Sequence, residues 1–163
     1  MGNLLAIYLN DHLAGATGGV ELARRARDAN RDDEVFGPRL AGISAEIEAD
    51  RETLVGLMGH LGIRRDPLKP AAGWAAEKLG RLKPNGRLTG YSPLSRQVEL
   101  EMLLIGITGK HQMWKALAHT QGPRVGEFDF GQLAERAERQ RTVVGELHLE
   151  AATRALEPVA SPG

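Results

Sequence analysis

Residues 92–119 read SPLSRQVELEMLLIGITGKHQMWKALAH, the most continuously apolar helical stretch of the chain. Ser92 supplies an N-cap and Pro93 stands at the first helical position, where its missing N–H and fixed φ suit a helix start. Set out at 100° per residue, the apolar side chains form two groups. Leu94, Val98, Met102, Ile105, Met113 and Ala116 share one face, and Leu100, Leu103, Ile107, Trp114 and Leu117 share another, nearly opposite. Between them run two polar strips, one of Glu101, Thr108, Gln112 and His119, the other of Ser95, Glu99 and Lys110. A helix apolar on two sides must bury both. Leu100, Leu103, Ile107 and Trp114 are therefore expected to be an interface, covered by another segment of the chain or by a second copy.

Three further helices surround this one. Residues 4–29 carry Leu5, Leu9, His12, Ala16, Val20 and Ala23 at spacings of three and four, with Asn10, Thr17, Glu21 and Asp28 on the other side. Gly15, Gly18 and Gly19 lie inside that pattern, each costing about 1 kcal/mol of helix propensity; close approach of a neighbouring helix is the expected compensation. Residues 30–33, Asn-Arg-Asp-Asp, make a turn with a cap for the next helix, which runs over about 35–62 on a stripe of Phe36, Leu40, Ile43, Ile47, Leu54, Met58 and Leu61. Asp50 sits on the flank of that stripe, where a solvated acid is a poor explanation. Residues 63–91, with Pro67, Pro70 and Pro84, form a connection holding one short possible helix, Gly73–Leu82. After a short turn over 120–128, Asp129 caps a fourth helix with Gln132 three residues on, a capping-box pattern. Its stripe is Phe130, Leu133, Ala137, Val144, Ala151 and Ala155. Residues 1–157 thus read as one domain, and 158–163 as a disordered tail.

The fold class that follows is all-α. Short links pair the first helix with the second and the third with the fourth, and the long middle connection returns along the bundle, giving an up-down-down-up four-helix bundle with one crossover. In this arrangement Asp50 falls level with Arg141 and Glu101 level with His148, and both are expected as satisfied polar pairs, with His12 lower on the first helix. An up-down-up-down order would instead bring His12, Glu101 and His148 into one layer resembling a metal site.

Four long helices with one crossover resemble the ferritin-like superfamily, over about residues 4–157. Its di-metal members carry a carboxylate from each of two helices and Glu-x-x-His from the other two. No Glu-x-x-His occurs in this sequence, the first helix presents Ala16, Gly19 and Val20 inward, and the fourth offers Gln140, Arg141 and Val144 at mid-height. The resemblance therefore covers architecture without the metal motif. The stretch NGRLTGYSPLSRQVELE, with EIEADRETL and GRLK before it, is also similar to small bacterial helical proteins. That likeness carries no activity over, but it directs attention to Asp50, Arg96 and Glu101.

Composition limits the remaining chemistry. The 163 residues include no cysteine, so disulfides, thiolate zinc sites and cysteine nucleophiles are excluded, in keeping with a reducing cytoplasm. The formal net charge is zero, which provides no global field for nucleic acid or an anionic membrane. Arg64, Arg65, Lys69, Lys78, Arg81, Lys83 and Arg87 make the connection basic, but with only Trp74 and Tyr91 among them the nucleic-acid signal is weak. No membrane-spanning run, nucleophile elbow, phosphate loop or zinc-protease motif occurs. The expectation is a cytoplasmic, non-enzymatic bundle without cofactor or metal, acting as a binding or structural module and associating with itself as a homo-oligomer. The alternative is a carboxylate metalloprotein or oxidase with a reduced ligand set. Candidate site residues are His12, Asp50, Glu101, Arg141 and His148.

Overall fold

The computed structural model describes residues 3–66 and 91–156. These form four helices: α1 (Leu4–Ala29), α2 (Phe36–His60), α3 (Pro93–Gln121) and α4 (Phe130–Ala155). The short helix expected at 73–82, the basic residues beyond Arg65 and the tail lie outside the described residues. None of the described helices is long and apolar enough to cross a membrane.

Local chemistry accounts for the helix ends. Asn3 accepts a hydrogen bond from the Ala6 N–H at 3.2 Å, and Asp33 Oδ1 accepts from the Val35 and Phe36 N–H groups at 2.9 and 3.1 Å. Ser92 and Asp129 each accept from the backbone N–H three residues on, both at 3.0 Å. Each bond satisfies one of the donors that a helix start leaves without a partner. The link between α3 and α4 is more ordered than the expected turn. Two short antiparallel strands, β1 (Arg124–Val125) and β2 (Phe128–Asp129), pair across Gly126 at φ 55°. The positive φ favours glycine there, and a Cβ at Gly126 would also meet the ring of exposed His60 at 2.7 Å, which would have to move aside.

Helix directions follow from the two apolar clusters. One joins the C-terminal half of α1 (Val20, Ala23, Ala26) to the N-terminal half of α2 (Phe36, Leu40, Ile43), the N-terminal half of α3 (Leu100, Leu103, Ile107) and the C-terminal half of α4 (Val144, Leu147, Ala151). The other joins Leu9 to Leu54, Leu57 and Met58, Met113, Trp114 and Leu117, and Phe130, Leu133 and Ala137. The order is up-down-down-up, and Asp66 and Tyr91 lie at opposite ends of the bundle. α3 packs most extensively on α4 and α1 on α2, whereas α1 meets α3 more lightly.

Two expectations change. Leu100, Leu103, Ile107 and Trp114, expected as an interface, are each 3% exposed or less within the single chain. They are core, and the opposite face is the open one, with Ile105 59% exposed. Angular spacing identifies two apolar arcs but cannot say which of them the other three helices cover. Gly15 and Gly19 of α1 also do not let a neighbouring backbone approach closely. A Cβ built on Gly15, Gly19, Gly106 or Gly109 meets nothing within 4 Å. Gly15→Ala and Gly19→Ala are therefore expected to stabilise the protein, each by about 0.5–1 kcal/mol, because helix propensity improves without a clash. Urea unfolding of the two variants checks this, and a loss of stability would contradict the open geometry.

Candidate functional site

The two apolar clusters are separated at mid-height by a polar layer, and the sequence places its members. On α2, Asp50 lies between Ile47 of one cluster and Leu54 of the other; on α3, Lys110 lies between Ile107 and Met113; on α4, Gln140 lies between Ala137 and Val144. Asp50 is 3% exposed. Lys110 Nζ donates to Asp50 Oδ2 and, at 2.5 Å, to Gln140 Oε1. Gln140 Nε2 donates to Asp50 Oδ2 and to Glu46 Oε2, both at 2.9 Å. Arg136 forms an ion pair with Asp50 Oδ1, although its Nη2 does not point along a hydrogen bond and its buried Nε has no hydrogen-bond acceptor among the described residues. Two cations thus neutralise one buried carboxylate. Burial lowers the Lys110 pKa, helped by the Arg136 charge and opposed by Asp50 and Glu46.

α1 contributes no polar group to this layer. Its residues at the same height include Gly15, Ala16, Gly18 and Gly19, and where their side chains would be, a cleft of about 240 Å³ opens between α1 and α3. Leu54, Met102, Ile105, Ile107, Met113 and Trp114 form its apolar lining, and Asp50, Lys110, Asp11, His12 and Arg51 are the polar points along it. His12 is half-buried against Tyr8, with ring centroids 4.6 Å apart at 71°. Burial lowers its pKa and Asp11 opposes the shift. Trp114 is fully buried, and its indole N–H has no acceptor among the described residues.

The candidate residues therefore separate. His12 and Asp50 line one cleft. Glu101 and His148 meet elsewhere, with His148 Nε2 3.1 Å from Glu101 Oε1 and 2.6 Å from Gln97 Nε2. Arg141 does not pair with Asp50: it is exposed and donates to Glu138 at 2.6 and 3.0 Å. Arg136 and Gln140 are one helical turn apart and share the buried side of α4, whereas Arg141 is rotated off it by about 100°. Sequence reasoning missed Lys110, Arg136 and Gln140. The available signal was a lysine in a polar strip beside an apolar arc, four residues before Trp114.

A second buried network, around Tyr91 and Glu99, closes the end of the bundle at the start of α3. Tyr91 Oη donates to Glu99 Oε2 at 2.7 Å, Asn30 Nδ2 donates to Tyr91 Oη at 3.1 Å, and Arg96 Nε donates to Asn30 Oδ1 at 2.5 Å. Arg25 lies 2.8 Å from the other Glu99 oxygen, and Arg96 lies over the Phe36 ring at 4.2 Å. Burial raises the Glu99 pKa, with the Tyr91 hydroxyl and Arg25 opposing it. A carboxyl raised in the folded state favours folding most below the ordinary glutamate pKa of about 4.3, and that contribution is lost as pH rises through the raised value. Stability measured against pH for wild type and Glu99→Gln should show the wild type losing ground to the variant above about pH 4. The reverse slope would contradict the assignment.

Among the described residues, no three His, Cys, Asp or Glu side chains are grouped as ligands for a metal ion. Comparison of the chain with protein-family models, with curated proteins and with solved structures finds no match. Fold and site define an all-α four-helix bundle with a glycine-walled apolar cleft over a buried ion-pair layer.

Proposed function

We propose that the protein is a binding module whose ligand is a small, mainly apolar molecule held in the α1–α3 cleft. The observation that carries this reading is the row of glycines on both helices facing empty space, since a bundle selected for packing alone would fill that volume. An apolar lining with a few polar points is the usual composition of a small-molecule site. Calorimetric titration with octan-1-ol tests the reading: saturable binding is expected in the wild type and its loss in Gly19→Leu, whose added side chain enters the open space. No saturable binding to the wild type would refute it.

The up-down-down-up order supports kinship with ferritin-like bundles, and the lack of cysteine supports a cytoplasmic location. Against the carboxylate-metalloprotein alternative stands Asp50, its best ligand, which already carries Lys110 and Arg136; a metal there would meet two positive charges. Self-association would need a surface other than the buried α3 face. Leu4, Ile7 and Tyr8, exposed together on the first turns of α1, are the apolar surface that a second copy would use.

A further inference from the structure

We propose that Lys110 is a nucleophile, and that its Nζ captures the carbonyl carbon of a small apolar aldehyde or ketone in the cleft as a reversible imine. This rests on the cleft being the ligand site and adds the reactive group of the ligand. Three features carry it. Lys110 is the one lysine among the described residues lining the cleft, so a ligand whose apolar part fills the cleft can place a carbonyl beside it. Its Nζ is held by two acceptors, Asp50 Oδ2 and Gln140 Oε1, which leaves the third tetrahedral position without a partner among the described residues. Loss of the proton at that position leaves a lone pair there while both remaining N–H groups stay bound. Asp50 is thirdly a carboxylate already in contact with the reacting nitrogen.

The step balances without a redox partner. The neutral amine adds to the carbonyl carbon, and the C–O π pair moves to oxygen, which takes a proton from water. Asp50 accepts a proton from the new ammonium nitrogen to give a neutral carbinolamine. It then returns that proton to the departing hydroxyl, which leaves as water as the C=N bond forms, and the hydroxide from the first step removes the last N–H proton. The amine has given up two hydrogens and the carbonyl its oxygen. The groups facing Nζ are Asp50 and Glu46 from α2 and Gln140 and Arg136 from α4. Burial and the Arg136 charge favour the neutral amine, and the two carboxylates oppose them.

The test is reductive trapping on the full chain. Octanal and cyanoborohydride are added near neutral pH, and adducts are located by peptide mass mapping. Lys110 is expected to be labelled at least about tenfold faster than exposed Lys115, because the cleft it lines holds the bound aldehyde beside its Nζ and so raises the effective concentration of the carbonyl there. Octan-1-ol should protect it. Lys110→Met should remove the adduct, and Gly19→Leu, which leaves the amine and its partners in place, should suppress it. If octan-1-ol binds but Lys110 reacts no faster than Lys115, or reacts equally in Gly19→Leu, the imine proposal is overturned and the binding reading stands. If octan-1-ol does not bind the wild type, both are overturned.

Discussion

Asp50→Ala is expected to destabilise the bundle by about 3 kcal/mol, because it strands two cations that are only partly solvated, Lys110 15% and Arg136 29% exposed at the side chain. In the wild type Lys110 and Arg136 both contact this carboxylate, and Gln140 donates to it at 2.9 Å. Removing it leaves a partly buried ammonium and guanidinium without their shared carboxylate, with Gln140 Oε1 as the remaining close acceptor for Lys110. Removing both ends of an ion pair costs much less than removing one. Asp50→Leu combined with Lys110→Met should therefore recover more than half of the loss, although Arg136 remains. Denaturant unfolding of the wild type and the two variants measures this directly. A cost for Asp50→Ala under about 1 kcal/mol, the range of exposed ion pairs, would show that the layer is solvated.

Trp114→Ala is expected to cost about 3–5 kcal/mol, the range for removing a large aromatic side chain from a core. Trp114 is fully buried, and its ring stacks on Phe130 with centroids 6.1 Å apart and an interplanar angle of 16°. Trp114→Phe should cost far less, about 1–2 kcal/mol for the lost apolar volume. The indole N–H is buried without an acceptor among the described residues, so phenylalanine breaks no hydrogen bond with them and removes an unsatisfied donor. Thermal unfolding of the two variants separates the effects. Equal losses would mean that the N–H does have a partner. The same pair bears on the cleft, since Trp114 is part of its wall.

Much of the architecture was legible in the sequence because it depends on local chemistry. Ser92 with Pro93 and Asp129 with Gln132 mark helix starts through bonds spanning three residues, and the structure places both caps there. Apolar periodicity located the first helix at its observed bounds, Leu4–Ala29. The site was less legible. Asp50 stood out as an acid beside an apolar stripe, but its partners lie 60, 86 and 90 positions along the chain at Lys110, Arg136 and Gln140. Pairing by height alone selected Arg141. A displacement of one residue turns a side chain by about 100° around the helix, enough to move it from the buried layer to solvent.

The sequence by itself determined that the chain forms four amphipathic helices, where each begins, and that cysteine chemistry is excluded, because these depend on residue type and on neighbours within one or two turns. Only the tertiary structure decided which arc of α3 is core, that Lys110 and Arg136 meet Asp50, and that the glycines of α1 border a cleft. Those outcomes depend on how each helix is rotated about its own axis when four of them pack. That rotation is set by the fit of all their side chains together, and angular spacing within a single helix carries no information about it.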